Sequence, residues 1–342
     1  MKNSLKMNSR LPSTAALFSC MALLSVGCNN ALQTSGGSPA ETTVNSLVPE
    51  AFRIIQQGLA DNDPRIRANA IEVVVLTRPV PLMPKVQRLL SDEFVPVRFL
   101  AILAVGDLKY ALAENELMQL LKDKDQNVAI AAAYSLTKLG HPEYLKMCQN
   151  AVTSNDQTVR ANAAFLLGRS GDRSKLTQEA LWWTLQRRDS NDKVRFQAAE
   201  ALAMFGDQNI FPRLWAMLIS VYADDRVVGI RAMGALGTEQ AKNALITMLD
   251  DSVLEVRLAA ADQLGKLADP AGEPVVLEVF TKNLTAGLDK ESLERVNVLT
   301  ALAIGQIGTN NLTKYLSQLL KDESNFVRIA AAKAVLQCAM RR

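Results

Sequence analysis

Asp250–Gly265 reads DDSVLEVRLAAADQLG, and the same grammar returns at Asp92–Gly106 (DEFVPVRFLAILAVG) and Asp322–Leu336 (DESNFVRIAAAKAVL). An acid closes one apolar segment, a short turn follows, and Val-Arg opens an Ala-rich run. Taking the Val or Ile before each Ala-rich run as an anchor gives Ile66, Val97, Val128, Val159, Val194, Val228, Val256, Val296 and Val327. Their spacings are 31, 31, 31, 35, 34, 28, 40 and 31 residues. A period in this range marks stacked supersecondary units, each too small to bury its apolar face alone. About 31 residues accommodate two helices of roughly a dozen residues with two tight turns. In the fifth copy Val194, Ala198, Ala201, Leu202 and Phe205 fall on one helical face. Gly140, Gly171, Gly206 and Gly308 each follow their anchor by twelve residues, where a helix ends in a left-handed residue. Pro64 and Pro96 sit in first turns, where a missing N–H costs nothing.

Composition agrees with helices packed closely on helices. Apolar residues make up 49% of the 342-residue chain but aromatics only 5%, so Ala, Leu, Val and Ile must build the core. The net charge of +3 equals the contribution of Lys2, Lys6 and Arg10, and no acid precedes Glu41. The remaining chain is neutral, which argues against a nucleic-acid partner. The four cysteines, Cys20, Cys28, Cys148 and Cys338, form no metal-binding pair, and His141 is the only histidine. We therefore expect no metal and no cofactor, with Cys148 and Cys338 as small core residues far apart in an extended array.

The amino terminus reads as a leader. A basic, polar opening precedes a twelve-residue apolar run, Ala15–Val26, too short to span a bilayer. The run ends in Leu24-Ser25-Val26-Gly27-Cys28, which resembles the bacterial lipoprotein cleavage motif with Ser25 as a departure. The resemblance implies a signal peptide over 1–27, lipidation of Cys28, and attachment to a bacterial envelope membrane facing the periplasm or exterior. Residues 28–46 are too polar to fold and read as a tether spanning on the order of 25 Å. The repeat array occupies 47–342.

Paired helices with an intra-repeat Asp and a following Arg resemble HEAT repeats, in particular the short HEAT-like repeats of phycobilisome-lyase-type proteins. The resemblance implies an all-α, right-handed solenoid of about nine two-helix repeats. It also implies a ladder of side chains joining each repeat's turn to its neighbour. The pairs are Asp61/Arg67, Asp92/Arg98, Asp189/Arg195, Asp251/Arg257 and Asp322/Arg328, all six residues apart. Ser154 stands in for the acid before Arg160, and Ala129 for the arginine after Asp123. Ala223/Gly229 lacks both partners, and Glu291/Asn297 keeps only the acid. The 40-residue spacing points to a lengthened turn over 283–291, where the superhelix should bend or loosen.

Deoxyhypusine hydroxylase, an enzyme built from such repeats, needs several His-Glu pairs, and this chain has none. No nucleophile elbow or phosphate loop is present either, so no catalytic residue is assigned and a non-catalytic role is expected. In HEAT-like arrays the second helices line the concave side. Six residues after each anchor stand Glu72, Leu103, Tyr134, Phe165, Glu200, Gly234, Asp262, Leu302 and Lys333. This position should lie opposite the core stripe, with Lys333 in solvent and Arg195 in a partly buried pair. Leu103, Tyr134 and Phe165, with Phe99 and Phe196, would then form an apolar strip for a protein partner. Trp182, Trp183 and Trp215 lie on first helices, where large aromatics fill gaps. The expected function is an envelope-anchored protein-binding scaffold; the alternative is a bilin-lyase-like or chaperone-like protein acting on another protein.

Overall fold

The structure is a computed structural model that describes residues 43–341. The proposed leader, Cys28 and the tether as far as residue 42 lie outside the described residues. Among the described residues the chain is helical throughout, with no strand. These residues form nine helix pairs, and none of the described helices is long and apolar enough to cross a membrane.

The first helices of the pairs are Val44–Gly58, Met83–Arg88, Glu114–Leu120, Leu145–Ala151, Lys175–Gln186, Phe211–Leu218, Glu239–Thr247 and Glu273–Thr281, with the ninth broken into Asn310–Thr313 and Leu316–Leu319. The second helices are Pro64–Thr77, Val95–Asp107, Gln126–Leu139, Gln157–Ser170, Asp192–Met204, Ala223–Leu236, Leu254–Lys266, Lys290–Ile307 and Asn325–Met340. Their starts follow from capping: the Asp63, Asp125 and Asp156 carboxylates accept the N–H of Arg65, Asn127 and Thr158 at 2.8, 2.8 and 2.7 Å. Their ends share one device. The residue twelve after the anchor is left-handed in eight repeats, as Gly140, Gly171, Gly206, Gly237 and Gly308, and as Arg78, Lys109 and Ala268.

That device corrects the register of the sixth repeat. Gly237 is twelve residues after Asp225, and the helix Ala223–Leu236 begins two residues before it, as its counterparts do. The anchor is therefore Asp225 rather than Val228. Most intervals, including those on both sides of the sixth repeat, then become 31 residues, leaving insertions only before the fifth and eighth anchors. The second insertion falls between Thr281 and Lys290, and part of it lengthens the following helix to 18 residues.

The solenoid does not run open-ended. The helix Asn325–Met340 packs on Lys290–Ile307 and also on Val44–Gly58 and Pro64–Thr77. Across this seam Asn325 Nδ2 donates to Asp61 Oδ2 at 3.0 Å, and the Arg65 guanidinium lies 5.1 Å from the centre of the Phe326 ring. The ninth repeat thus packs back on the first and the array closes into a ring, with Val44–Gly58 taking a larger share of this seam than first helices take at the other junctions. Small residues explain the curvature. A Cβ on Gly106 would lie 2.6 Å from Ser135 Cα, and one on Gly168 2.9 Å from Ala201 Cα. Second helices therefore touch almost backbone to backbone, while Leu, Met and Trp hold the first helices farther apart on the outside.

Candidate functional site

The ladder arginines grip their own turns, and Arg67, Arg98 and Arg160 also reach forward to an acid of the next. Arg67 Nη1 donates to the Asp61 and Asn62 carbonyls at 2.8 and 3.1 Å, while Nε and Nη2 both reach the Asp92 carboxylate at 2.8 Å. Arg98 repeats this with the Asp92 and Glu93 carbonyls and lies 3.7 Å from Asp123. Arg160 donates to the Ser154 carbonyl and lies 3.3 Å from Asp189. Arg257 and Arg328 hold the Asp251 and Asp322 carbonyls at 2.8 and 2.6 Å. The acids also order the turns: Asp92 accepts Phe94 N–H at 3.0 Å and Asp251 accepts Val253 N–H at 2.8 Å.

The sixth rung is occupied, contrary to the reading of Ala223/Gly229 as empty. Arg226, in the corrected register, donates to the Ser220 carbonyl at 2.9 Å and pairs with Asp251 at 2.8 Å. Asn297 fills the eighth rung, donating to Asp322 at 3.1 Å. Arg195 departs from the pattern. It lies 3.6 Å from Asp192 on its own helix, its Nη2 donates to the Arg188 carbonyl at 3.4 Å, and its side chain is half exposed.

The position six residues after the anchor faces the ring's centre, not solvent. Lys333, Glu72 and Glu200 are buried, as is Arg231, which replaces Gly234 at this position in the corrected register. The Arg231 guanidinium makes two bonds to the Glu200 carboxylate, 2.7 and 2.8 Å long. Tyr134 Oη donates to Asp107 at 2.5 Å, and Asp107 is ion-paired with Arg169 from two repeats away. Such a contact is possible only where helices converge on an axis. Burial raises the Glu72 carboxyl to about 7, against the opposing charges of Lys333, Arg169 and Arg231. Glu72 Oε2 is buried with no hydrogen-bond partner among the described residues. Burial likewise raises Asp262 and lowers Lys266, each opposing the other.

The apolar strip therefore lies inside. Leu103 is 3% and Tyr134 1% exposed, and Phe99 is buried. Phe165 and Phe196 are half-buried, and the Phe99 and Phe165 rings lie 6.5 Å apart. The docking reading requires these five to be accessible; instead Phe99, Leu103 and Tyr134 are enclosed and Phe165 and Phe196 are covered in part. The cysteines Cys148 and Cys338 are buried and free, and burial pushes the Cys148 thiol up to about 12. Among the described residues, no three His, Cys, Asp or Glu side chains are placed to hold a metal.

A different apolar surface is open. Trp215 and Ile219 lie one turn apart at the end of the sixth first helix, followed by Val221 and Tyr222 in the turn. All four are exposed, Val221 at 86%. Trp183 and Ile246 occupy near-equivalent places on the fifth and seventh first helices and are exposed too. Phe211 stacks on Trp215 at 6.3 Å, and Arg187 lies over Trp183 at 4.7 Å. Gap-filling holds for Trp182, whose Nε1 donates to Asp207 at 2.7 Å, but not for Trp183 or Trp215. Val221, at a turn position where the other copies carry a polar residue, was the available signal, hidden by the slipped register.

The fold and ladder define a class: a closed, all-helical repeat ring with a charged centre. Its units are HEAT repeats. A family model described as HEAT repeats matches residues 82–147 and 144–228, and a HEAT repeat model matches 242–269. Among solved structures, the chain is similar to the CpcE–CpcF complex of phycocyanin lyase from Nostoc sp. PCC7120, at 18% identity over 74% of this chain and 94% of that one, with a TM-score of 0.42. It is also similar to human deoxyhypusine hydroxylase in complex with glycerol, at 18% identity over 87% of this chain and 99% of that one, with a TM-score of 0.37. The karyopherin Kap121p matches at 14% identity over 87% of this chain and 38% of that one, with a TM-score of 0.36. Among curated proteins none matches the chain.

Proposed function

We propose that this protein is a non-catalytic protein-binding scaffold, tethered to a bacterial envelope membrane through Cys28. It presents its partner with the outer face of repeats five to seven. The observation that carries this reading is the exposed group of Trp183, Trp215, Ile219, Val221, Tyr222 and Ile246. Monomeric proteins rarely leave such residues grouped in the open, and aromatics anchor interfaces. The concave face is filled by its own ion pairs and offers no comparable surface.

Two measurements test the reading. Cross-linked capture from native membranes should recover a partner with the wild type and lose it with Trp215→Ser/Ile219→Ser. Exposed substitutions of this kind shift stability by about 0.5 kcal/mol or less each, so the melting temperature should hold. Unchanged capture would remove the outer face as the docking surface, and no captured protein at all would remove the scaffold reading. For the anchor, Cys28→Ser should release the protein to the soluble fraction, since stable attachment of this kind depends on the acyl chains. Undiminished membrane association would refute it.

A further inference from the structure

At the junction of repeats five and six a serine stands in the place of the ladder's acid, and the arginine that would meet it is half exposed. Arg67, Arg98, Arg160 and Arg226 each approach a carboxylate of the next repeat, and their side chains are 11, 10, 0 and 12% exposed. Arg195 has Ser220 where that carboxylate would stand. Its guanidinium turns outward to Asp192, itself 81% exposed, and remains 40% exposed. Asp225 on the sixth repeat instead accepts the Ser220 hydroxyl at 2.7 Å.

The same turn carries the open apolar residues. Tyr222 has the register place of Phe94, whose ring centre lies 5.6 Å from the Arg67 guanidinium. The repeat geometry therefore sets Tyr222 beside Arg195, with Val221 next to it and Ile219 and Trp215 continuing along the outer helix. A half-exposed guanidinium, held only by long contacts to the exposed Asp192 and the Arg188 carbonyl and bordered by exposed aromatic and aliphatic side chains, can exchange them for a carboxylate flanked by apolar groups. Asp189, Asp192 and Asp224 alternate there with Arg187, Arg188 and Lys193, so the turn lacks the unbroken basic field that an anionic lipid or nucleic-acid surface needs, while a single carboxylate needs only one cation.

We infer that this junction docks an acidic–apolar segment of a partner protein, whose carboxylate takes the rung at Arg195 while its apolar side chain lies on Tyr222, Val221 and Ile219. This rests on the protein-binding reading above and adds the place and the chemistry.

The test pans a random peptide display library on the ring and measures the selected peptides by fluorescence anisotropy. Selected peptides should share an Asp or Glu beside a large apolar residue. Arg195→Gln should weaken them at least tenfold, and changing the peptide's acid to its amide should cause the same loss, with no further loss when the two are combined. Ser220→Asp with Asp225→Val gives the junction the acid and buried valine that the second repeat has. It should fill the rung from within, weakening the peptides at least tenfold while the melting temperature holds or rises. The inference is overturned by selected peptides lacking an acid, by equal binding to the Arg195→Gln ring, or by no enrichment over a library panned on the double variant. Phosphatidylglycerol vesicles that bind the wild type and lose binding with Tyr222→Ser would assign the surface to lipid and equally overturn it. If native capture succeeds but survives both ladder variants, this inference falls while the scaffold reading stands.

Discussion

A single side chain's cost here depends on whether it points to the axis or to the rim. Lys333 faces Glu72 and Asp262 in the buried centre, whereas Arg195 stands at the open edge. Lys333→Ala should therefore destabilise by about 2–3 kcal/mol, since it strands buried carboxylates. Arg195→Ala should stay within about 0.5 kcal/mol. This reverses the order expected from the repeat pattern, and paired thermal melts would expose an error if Arg195→Ala proved the worse. Glu72 adds a pH signature. Its folded carboxyl is raised to about 7 from an ordinary 4.5, mainly by burial, so the folded state holds the proton more tightly. That contribution to stability is full below 4.5 and is lost as pH rises through 7. Glu72→Gln, which mimics the protonated form, should match the wild type at pH 4 and exceed it at pH 8 by on the order of 2–3 kcal/mol. Equal denaturation midpoints at pH 8 would contradict this. Ala268, finally, holds a φ of 60° in a place that five other repeats give to glycine. Ala268→Gly should add roughly 1 kcal/mol by relieving that strain, measurable as a higher melting temperature.

At the scale of the helix, the second helices decide the curvature because they can approach so closely. Gly168→Val would drive a side chain into Ala201 of the next helix, costing about 1–3 kcal/mol or prising the two repeats apart. Small-angle scattering would separate these outcomes: a larger radius of gyration with retained helicity means the ring opened. Helix number, helix faces and capping were legible in the sequence because each depends on local periodicity, as the burial of Val194, Ala198, Ala201, Leu202 and Phe205 illustrates. The sixth repeat was misread because its anchor is Asp225, a polar residue in a place reserved elsewhere for Val or Ile. Gly237 and Arg226 together held the true register. Which face of the second helix met water was not legible, since it depends on how sharply consecutive repeats turn. Tyr134 has the same local pattern in an open arc and in a closed ring, yet only closure brings Arg169 and Asp107 around it.

For the whole molecule, the seam between repeats nine and one decides stability. Open solenoids unravel from their ends, because terminal units have a neighbour on one side only. Here each unit has two, so removing residues 310–341 should expose the faces of both the first and eighth repeats. The loss should exceed that from an ordinary terminal repeat, and unfolding should broaden into more than one transition. A single sharp transition near the wild-type midpoint would show that the seam contributes little. Asn325→Ala removes only the hydrogen bond to Asp61, and should cost roughly 1 kcal/mol.

A circle admits only whole turns. Nine pairs sharing one revolution rotate by about 40° each, and the close glycine contacts at several junctions, such as Gly106 on Ser135 and Gly168 on Ala201, help to set that angle. An open array can gain or lose a unit by duplication and simply become longer or shorter. This chain cannot: a tenth pair at the same angle would overshoot the first, and an eighth-only version would leave a gap. Its lineage is thus free to vary loops and rim residues, as at the two insertions, but its repeat number is arithmetically frozen.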